Sequence, residues 1–131
     1  MSNVIKIDGS NIVNILNNKG ALDIEKPFSR EIFLIEVHIA GTTHIDNIDV
    51  LEPKLTEGVE VQFFREPNNQ YDSKAIVVKD KEGNKLGYIP KEKNEILSRL
   101  MDAGKLLYGK VKTKKKLGDW VKIEMEVYLK D

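Results

Sequence analysis

The sequence predicts a small, mainly β domain: a closed or partly closed barrel of six strands with one firm helix and one or two short ones. Several short segments alternate apolar and polar residues, while a single segment carries an extended apolar stripe at helical spacing. Turn residues separate these segments. A barrel is the expected arrangement because closure removes the exposed edges of a sheet.

Six strands are predicted from runs rich in β-branched and aromatic residues. They cover residues 32–39, 59–63, 75–78, 85–89, 106–113 and 120–129. In the last of them, apolar residues alternate with polar or aromatic ones, so one face should enter the core. Between the first two strands, Ile48, Val50, Leu51 and Leu55 predict a short helical turn that Pro53 interrupts.

The helix with the clearest sequence pattern is expected to begin at Pro90, whose missing N–H is tolerated in a first turn. Gly104 is the predicted stop. The apolar stripe consists of Ile96, Leu97, Leu100 and Met101. The final hairpin is predicted to turn through residues 114–119.

Residues 1–27 are expected to form an appendage to a barrel domain at 28–131, with the boundary marked by Pro27. Ser10 can cap a short helix that Gly20 ends. Its apolar residues are Ile12, Val13, Ile15 and Leu16. A helix this short needs packing to persist, so it would dock on the domain or on another copy.

The composition excludes several classes of protein. The chain has 131 residues, 40% of them hydrophobic, and no cysteine, which suits one globular domain without disulfides or thiolate metal sites. A cytoplasmic location is expected, since there is no signal-peptide pattern and no apolar run long enough to span a bilayer. Two histidines without ligand spacing, and no P-loop, nucleophile elbow or dinucleotide motif, predict no metal, no cofactor and no enzymatic activity.

The charge pattern leaves two interpretations open. Lysine and arginine number 21, as do aspartate and glutamate, which argues against tight nonspecific coating of DNA. A local basic cluster nevertheless stands near the end of the chain, and it either orients a polyanion or forms a solvated hairpin tip. The cluster comprises Lys110, Lys112, Lys114, Lys115 and Lys116.

The loop at 65–73 contains the strongest candidates for binding. Tyr71 offers a flat stacking surface, and Asp72 accepts hydrogen bonds from a hydroxyl such as a free sugar end. Arg65 and Lys74 flank the loop and can neutralise phosphates. The structural alternative is that Asp72 or Asn69 caps the loop backbone and that Arg65 pairs with Glu66 or Asp72.

Three more ring-bearing side chains are candidates. Tyr88 lies in a predicted strand, where it either stacks on a base or covers the core. Trp120 belongs to the alternate residues of the last strand that are predicted to face away from the core, and it follows the lysine cluster closely in sequence. His38 shares the parity of Ile32 and Leu34, and a structural role is the alternative for it.

Residues 32–129 resemble a HIRAN domain. The resemblance is most specific in the run from Arg65 to Val78, which reads REPNNQYDSKAIVV, then at Gly83, and then in the run GYIP that begins at Gly87. It implies a modified OB-like barrel of six strands. It also implies recognition of single-stranded DNA, including its 3′ end, in DNA repair or replication-fork processing. A helicase or nuclease partner would be another chain.

The resemblance also implies roles for single residues. Asp72 would accept the terminal 3′-hydroxyl, while Tyr71 and Asn69 shape the pocket. Tyr88 would face the pocket and Lys91 would meet a phosphate. Trp120 is a looser match to an aromatic residue that stacks on a base.

The chain departs from the family pattern at two places. Val37-His38 replaces an arginine–aromatic pair, so the arginine that binds phosphate is missing while His38 can still stack. Gln70 stands where proline is frequent. The alternative function is therefore a protein-interaction adaptor or dimerisation module that has lost DNA binding, with the N-terminal segment as its docking element.

Overall fold

The computed structural model describes residues 30–131, so the predicted N-terminal helix and the boundary at Pro27 lie outside the described residues. Residues Glu31–Asp131 form one compact unit. Its strands are β1 (Glu31–His38), β2 (Glu60–Arg65), β3 (Ile76–Lys79), β4 (Lys85–Tyr88), β5 (Leu106–Leu117) and β6 (Trp120–Lys130). Its α-helices are α1 (Ile48–Leu51) and α2 (Asn94–Asp102), and 3-10 turns cover Thr42–His44, Glu52–Lys54 and Lys91–Lys93.

The six strands form one antiparallel sheet in the order β1-β6-β5-β2-β3-β4. The two edges meet just after β1, where Ala40 and Tyr88 exchange backbone hydrogen bonds of 2.7 and 2.9 Å. Gly87 makes this approach possible, because a Cβ there would lie 2.3 Å from the carbonyl oxygen of Ala40. The sheet is therefore a curled, partly closed barrel, which confirms the predicted fold class.

The core lies inside the curl of the sheet. Alternation in β6 buries Val121, Ile123, Met125 and Val127, as the period of two predicts. The connection between β1 and β2 also contributes to the core, because Leu51 and Leu55 are buried. Val50 is mostly exposed, so the predicted helical turn forms but only part of its apolar set faces inward.

Helix α2, which the sequence predicted from Pro90, begins later than expected. Pro90 is extended, with φ −57° and ψ 141°, and a 3-10 turn precedes α2, which starts at Asn94. Leu97 is buried, but Ile96 is 69% exposed, so its assignment to the core stripe was wrong. Buried Asn94 and Ser98 take part of the inward face. The predicted stop at Gly104 is correct: it has a φ of 92° at the end of α2.

The final hairpin turns more tightly than predicted. Pairing continues as far as Leu117 and Trp120, so the turn consists of Gly118 and Asp119 alone. Gly118 has a φ of 63°, as a two-residue hairpin turn requires. Lys114, Lys115 and Lys116 were assigned to the tip, but they are strand residues. A run of charges was mistaken for a turn signal, whereas Gly-Asp provides it.

Two further findings apply to residues 30–131. No helix there is long and apolar enough to cross a membrane. In the same part of the chain, no group of three or more histidine, aspartate or glutamate side chains is arranged to hold a metal ion.

Candidate nucleic-acid interface

A pocket of about 480 Å³ opens where the loop between β2 and β3 meets β4 and the start of α2. It brings together five of the residues that the sequence singled out: Asn69, Tyr71, Asp72, Tyr88 and Lys91. Its other lining residues are Ala40, Ala75, Lys85, Ile89 and Asn94. The lining therefore combines apolar residues with several polar and charged side chains, which is the usual composition of a small-ligand site.

The asparagine of the loop holds the backbone in shape. Asn69 Oδ1 accepts hydrogen bonds from the backbone N–H groups of Tyr71, at 2.8 Å, and Asp72, at 3.1 Å. Its Nδ2 donates to Glu66 Oε1 at 3.0 Å. These three bonds engage both ends of the amide, so Asn69 orients its neighbours and presents them to the pocket.

The carboxylate of Asp72 is held by two internal donors. The backbone N–H of Lys74 donates to Oδ1 at 2.9 Å, and the side chain of Asn94 donates to Oδ2 at 2.7 Å. The Lys74 N–H, followed by the Asn94 amide, lowers the pKa of Asp72 below its ordinary value. Asp72 is therefore ionised at neutral pH and can only accept hydrogen bonds.

Two tyrosines flank this carboxylate in different ways. Tyr71 is 82% exposed, so its ring is available to a flat partner. Tyr88 is half-buried; its hydroxyl donates to Glu66 Oε1 at 2.8 Å, and Lys85 Nζ lies 4.5 Å from the ring centre. Tyr88 is thus a fixed wall of the pocket, whereas Tyr71 is a free surface beside it.

The two basic residues that flank the loop have unequal environments. The guanidinium of Arg65 donates to Ala75 O at 2.8 Å and to Ser73 O at 3.0 Å, and it pairs with Asp102 at 2.9 Å. The alternative in which Arg65 pairs with Glu66 or Asp72 is therefore wrong in its partner, which is Asp102 on α2. Lys74 Nζ lies 3.8 Å from Glu95, and its side chain is about half exposed. Neither residue lines the pocket.

His38 and Trp120 lie together, and neither of them lines this pocket. Their rings meet edge to face, with centroids 6.4 Å apart. His38 lines a second groove, and so does Pro90. This groove borders the pocket, because Ile89 and Lys91, the neighbours of Pro90 in sequence, line the pocket. Val37, the other residue at the family departure, is buried and also borders this groove. The second groove therefore offers an imidazole and no arginine.

The basic cluster is largely engaged with acidic side chains. Lys110 Nζ lies 2.9 Å from Glu31, and Lys112 Nζ lies 3.2 Å from Glu36. Lys114 pairs with Glu52 and also donates to its backbone carbonyl. These pairs reduce the net positive field that the sequence indicated along β5.

Sequence reasoning missed three residues that shape the pocket. Glu66 receives hydrogen bonds from Asn69 and Tyr88, Lys85 lies over the Tyr88 ring, and Asn94 supports Asp72. A signal for Asn94 was its polar side chain inside an amphipathic helix, where buried polar groups need a partner. Nothing in the local sequence names Asp72 as that partner.

Comparison with known proteins decides the family. The model of the HIRAN domain matches residues 32–130. The chain belongs to the HIRAN family. HIRAN domains are DNA-binding modules, so a nucleic acid is the class of partner that the family supports. Among curated proteins, no sequence matches the chain significantly.

Solved structures show the same fold. A crystal structure of a protein from Lactobacillus plantarum is 31% identical and has a TM-score of 0.73, with coverage of 79% of this chain and 98% of that one. The crystal structure of the HIRAN domain of human HLTF is 23% identical and has a TM-score of 0.58. That match covers 77% of this chain and 81% of the HLTF domain. This HIRAN chain therefore shares the barrel with both.

Proposed function

We propose that this HIRAN domain binds single-stranded DNA without catalysing a reaction, and that its pocket accepts the free 3′-hydroxyl end. The ionised Asp72 beside the exposed ring of Tyr71 carries the proposal. A role in DNA repair or replication-fork processing follows from such an end-binding activity. The helicase or nuclease partner and the cytoplasmic location remain predictions.

The carboxylate gives the pocket a preference for a hydroxyl. Each oxygen of Asp72 already accepts one internal N–H, which leaves acceptor capacity on both oxygens. A 3′-hydroxyl is a donor and satisfies this capacity. A 3′-phosphate would bring negative charge against an ionised carboxylate, and like charges at short range repel. The pocket should therefore distinguish the two ends of otherwise identical strands.

The surroundings suit the rest of a terminal nucleotide. Tyr71 can stack on a base, since stacking on exposed aromatic rings is a common way of holding single strands. Lys91 and Lys85 line the same pocket and can meet the backbone phosphate that precedes the end. Tyr88 provides a fixed wall beside the nucleotide because its hydroxyl donates a hydrogen bond to Glu66.

Fluorescence anisotropy with a short labelled strand tests the proposal. The affinity for a 3′-hydroxyl strand should exceed that for a 3′-phosphate strand, and Asp72→Asn should reduce the difference. The matched control is Asp80→Asn, because Asp80 also accepts backbone N–H groups and an asparagine amide, but in the β3–β4 turn. Equal binding of both strands by the wild-type chain would refute recognition of the end.

The adaptor alternative concerns residues 1–27, which lie outside the described residues. Deletion of that segment provides its test. Retained DNA binding after the deletion would place the activity in the barrel domain, and loss of self-association or of a protein partner would support a docking role for the segment.

A further inference from the structure

The loop at residues 66–75 is tied to α2 through side chains on and beside it. Asn94 Nδ2 donates to Asp72 Oδ2 at 2.7 Å, and Lys74 Nζ lies 3.8 Å from Glu95. At the base of the loop, Arg65 joins Asp102 to two loop carbonyl oxygens. The helix is therefore the rigid element against which the loop is set, and changes in α2 can reach the pocket without contacting a ligand.

Asn94 differs from the other two contacts in its position. It is only 3% exposed and is the first residue of α2, and it lines the pocket itself. The Lys74–Glu95 pair joins two side chains that are about half exposed, where an ion pair contributes little. Arg65 lies outside the pocket. Among these three ties, only the one from Asn94 ends on the carboxylate that would read the strand end.

We propose that Asn94 is a positioning residue that sets end selectivity through Asp72. This inference rests on the proposed function. The terminal torsion of aspartate is soft, so a carboxylate without a fixed donor rotates among several orientations. The Asn94 amide fixes Oδ2, and the Lys74 N–H fixes Oδ1. The remaining acceptor positions are thereby oriented before a strand arrives, which reduces the entropy lost on binding.

The Asn94 amide also favours the ionised form of the Asp72 carboxyl group. A hydrogen bond to the ionised form lowers the pKa of Asp72, and the Asn94 amide is the second cause after the Lys74 N–H. Loss of the amide should therefore raise this pKa toward 3.8, its ordinary value. The charged groups around the carboxylate are Lys74 on the loop, Lys91 before α2, and Lys85 and Glu66 at the pocket wall.

Two variants separate the donor from the shape of the side chain. Asn94→Leu keeps the branched arrangement of heavy atoms, in a bulkier side chain, but removes the donor, and Asn94→Asp keeps the shape but replaces the donor with a second acceptor. Asn84→Leu is the matched control, because Asn84 Nδ2 donates to Asp80 Oδ2 at 3.0 Å in the β3–β4 turn. That turn carries a similar amide–carboxylate pair outside the pocket.

The first measurement is the pKa of the Asp72 carboxyl by carbon-13 NMR, without DNA. We expect it to rise in Asn94→Leu and to rise further in Asn94→Asp, because a second carboxyl group disfavours ionisation of the first. Asn84→Leu should leave it unchanged. The NMR spectrum also reports whether each variant is folded, and Asn94→Asp tests the proposal if Asn94→Leu unfolds.

The second measurement is the ratio of the Kd for a 3′-phosphate strand to that for a 3′-hydroxyl strand. In Asn94→Leu this ratio should fall by about tenfold, the factor expected for one lost hydrogen bond to a charged group. The affinity of Asn94→Leu for the 3′-phosphate strand should change little, whereas the added carboxyl group of Asn94→Asp also repels a phosphate, so the pKa is the readout for that variant. A folded Asn94→Leu with the wild-type ratio, or either Asn94 variant folded with the wild-type pKa, would overturn the inference alone, whereas no preference in the wild-type chain would refute the proposed function itself.

Discussion

Arg65 and Lys74 both flank the pocket loop and were both candidates for phosphate binding. The structure predicts that Arg65 stabilises the fold much more than Lys74 does. The side chain of Arg65 is only 15% exposed, and its guanidinium is held by two backbone carbonyl groups and Asp102. The bond to Ala75 is partly buried, and hydrogen bonds to charged groups contribute about 1.5–3 kcal/mol each. The bonds to Ser73 and Asp102 are exposed and add about 1 kcal/mol or less each.

The perturbation is Arg65→Met, which removes the charge and keeps most of the apolar stem. The free energy of unfolding should fall by about 2–4 kcal/mol, and the Tm by roughly 10 °C or more. Lys74→Met should cost about 0–1 kcal/mol, since its pair with Glu95 is exposed and 3.8 Å long. Arg65→Lys should recover little, because an ammonium cannot replace the fork that joins three acceptors.

Urea denaturation followed by the fluorescence of Trp120, the single tryptophan, measures these differences. A shifted midpoint with an unchanged slope would show a change in stability alone. The salt dependence of DNA affinity, measured at a low temperature where the variants are folded, then distinguishes a loss of stability from the loss of a phosphate contact. Equal, small stability losses in the two methionine variants would refute the reasoning. So would a lower salt slope for Arg65→Met, because that is the signature of a lost phosphate contact.

Three further predictions follow from the same geometry. Gly87→Ala should destabilise the domain by about 3 kcal/mol or more in calorimetry, because a Cβ would lie 2.3 Å from a carbonyl oxygen and the φ of 153° disfavours a side chain. Lys91→Met should reduce the slope of log affinity against log salt by about 0.7, the value for one phosphate on a single strand, and an unchanged slope would remove Lys91 from the interface. The Asn69 amide and then the Tyr88 hydroxyl lower the pKa of Glu66 below 4.5, so its contribution to stability is present at neutral pH and is lost as the pH falls through the lowered pKa. Glu66→Gln should therefore flatten the decline of Tm in acid, and a parallel decline in both proteins would contradict this.

The parts that the sequence predicted well depend on local patterns. Alternation along β6 places every second residue in the core, and this needs only the pleat of one strand. The pocket loop was also visible, because Asn69, Tyr71 and Asp72 lie close together and their hydrogen bonds span two or three residues. Short-range geometry of this kind follows directly from residue type and spacing.

The parts that failed depend on contacts between distant residues. Arg65 and Asp102 are 37 positions apart, and Asp72 and Asn94 are 22 apart. The apolar stripe placed Leu97, Leu100 and Met101 on the core side of α2 correctly, and only Ile96 was misassigned. An apolar stripe indicates a buried side, but it does not show that the polar Asn94 shares that side.

Tyr88 contributes both to closure of the barrel and to the wall of the pocket. The backbone of Tyr88 exchanges two hydrogen bonds with Ala40, which joins the sheet edges, while its side chain forms the pocket wall and is tied to Glu66. Gly87 allows the close approach, and Asn69 shares the Glu66 carboxylate from the loop side. A change that opens the barrel here therefore also releases the loop, so stability and binding should be coupled at this edge more strongly than anywhere along the β5–β6 hairpin.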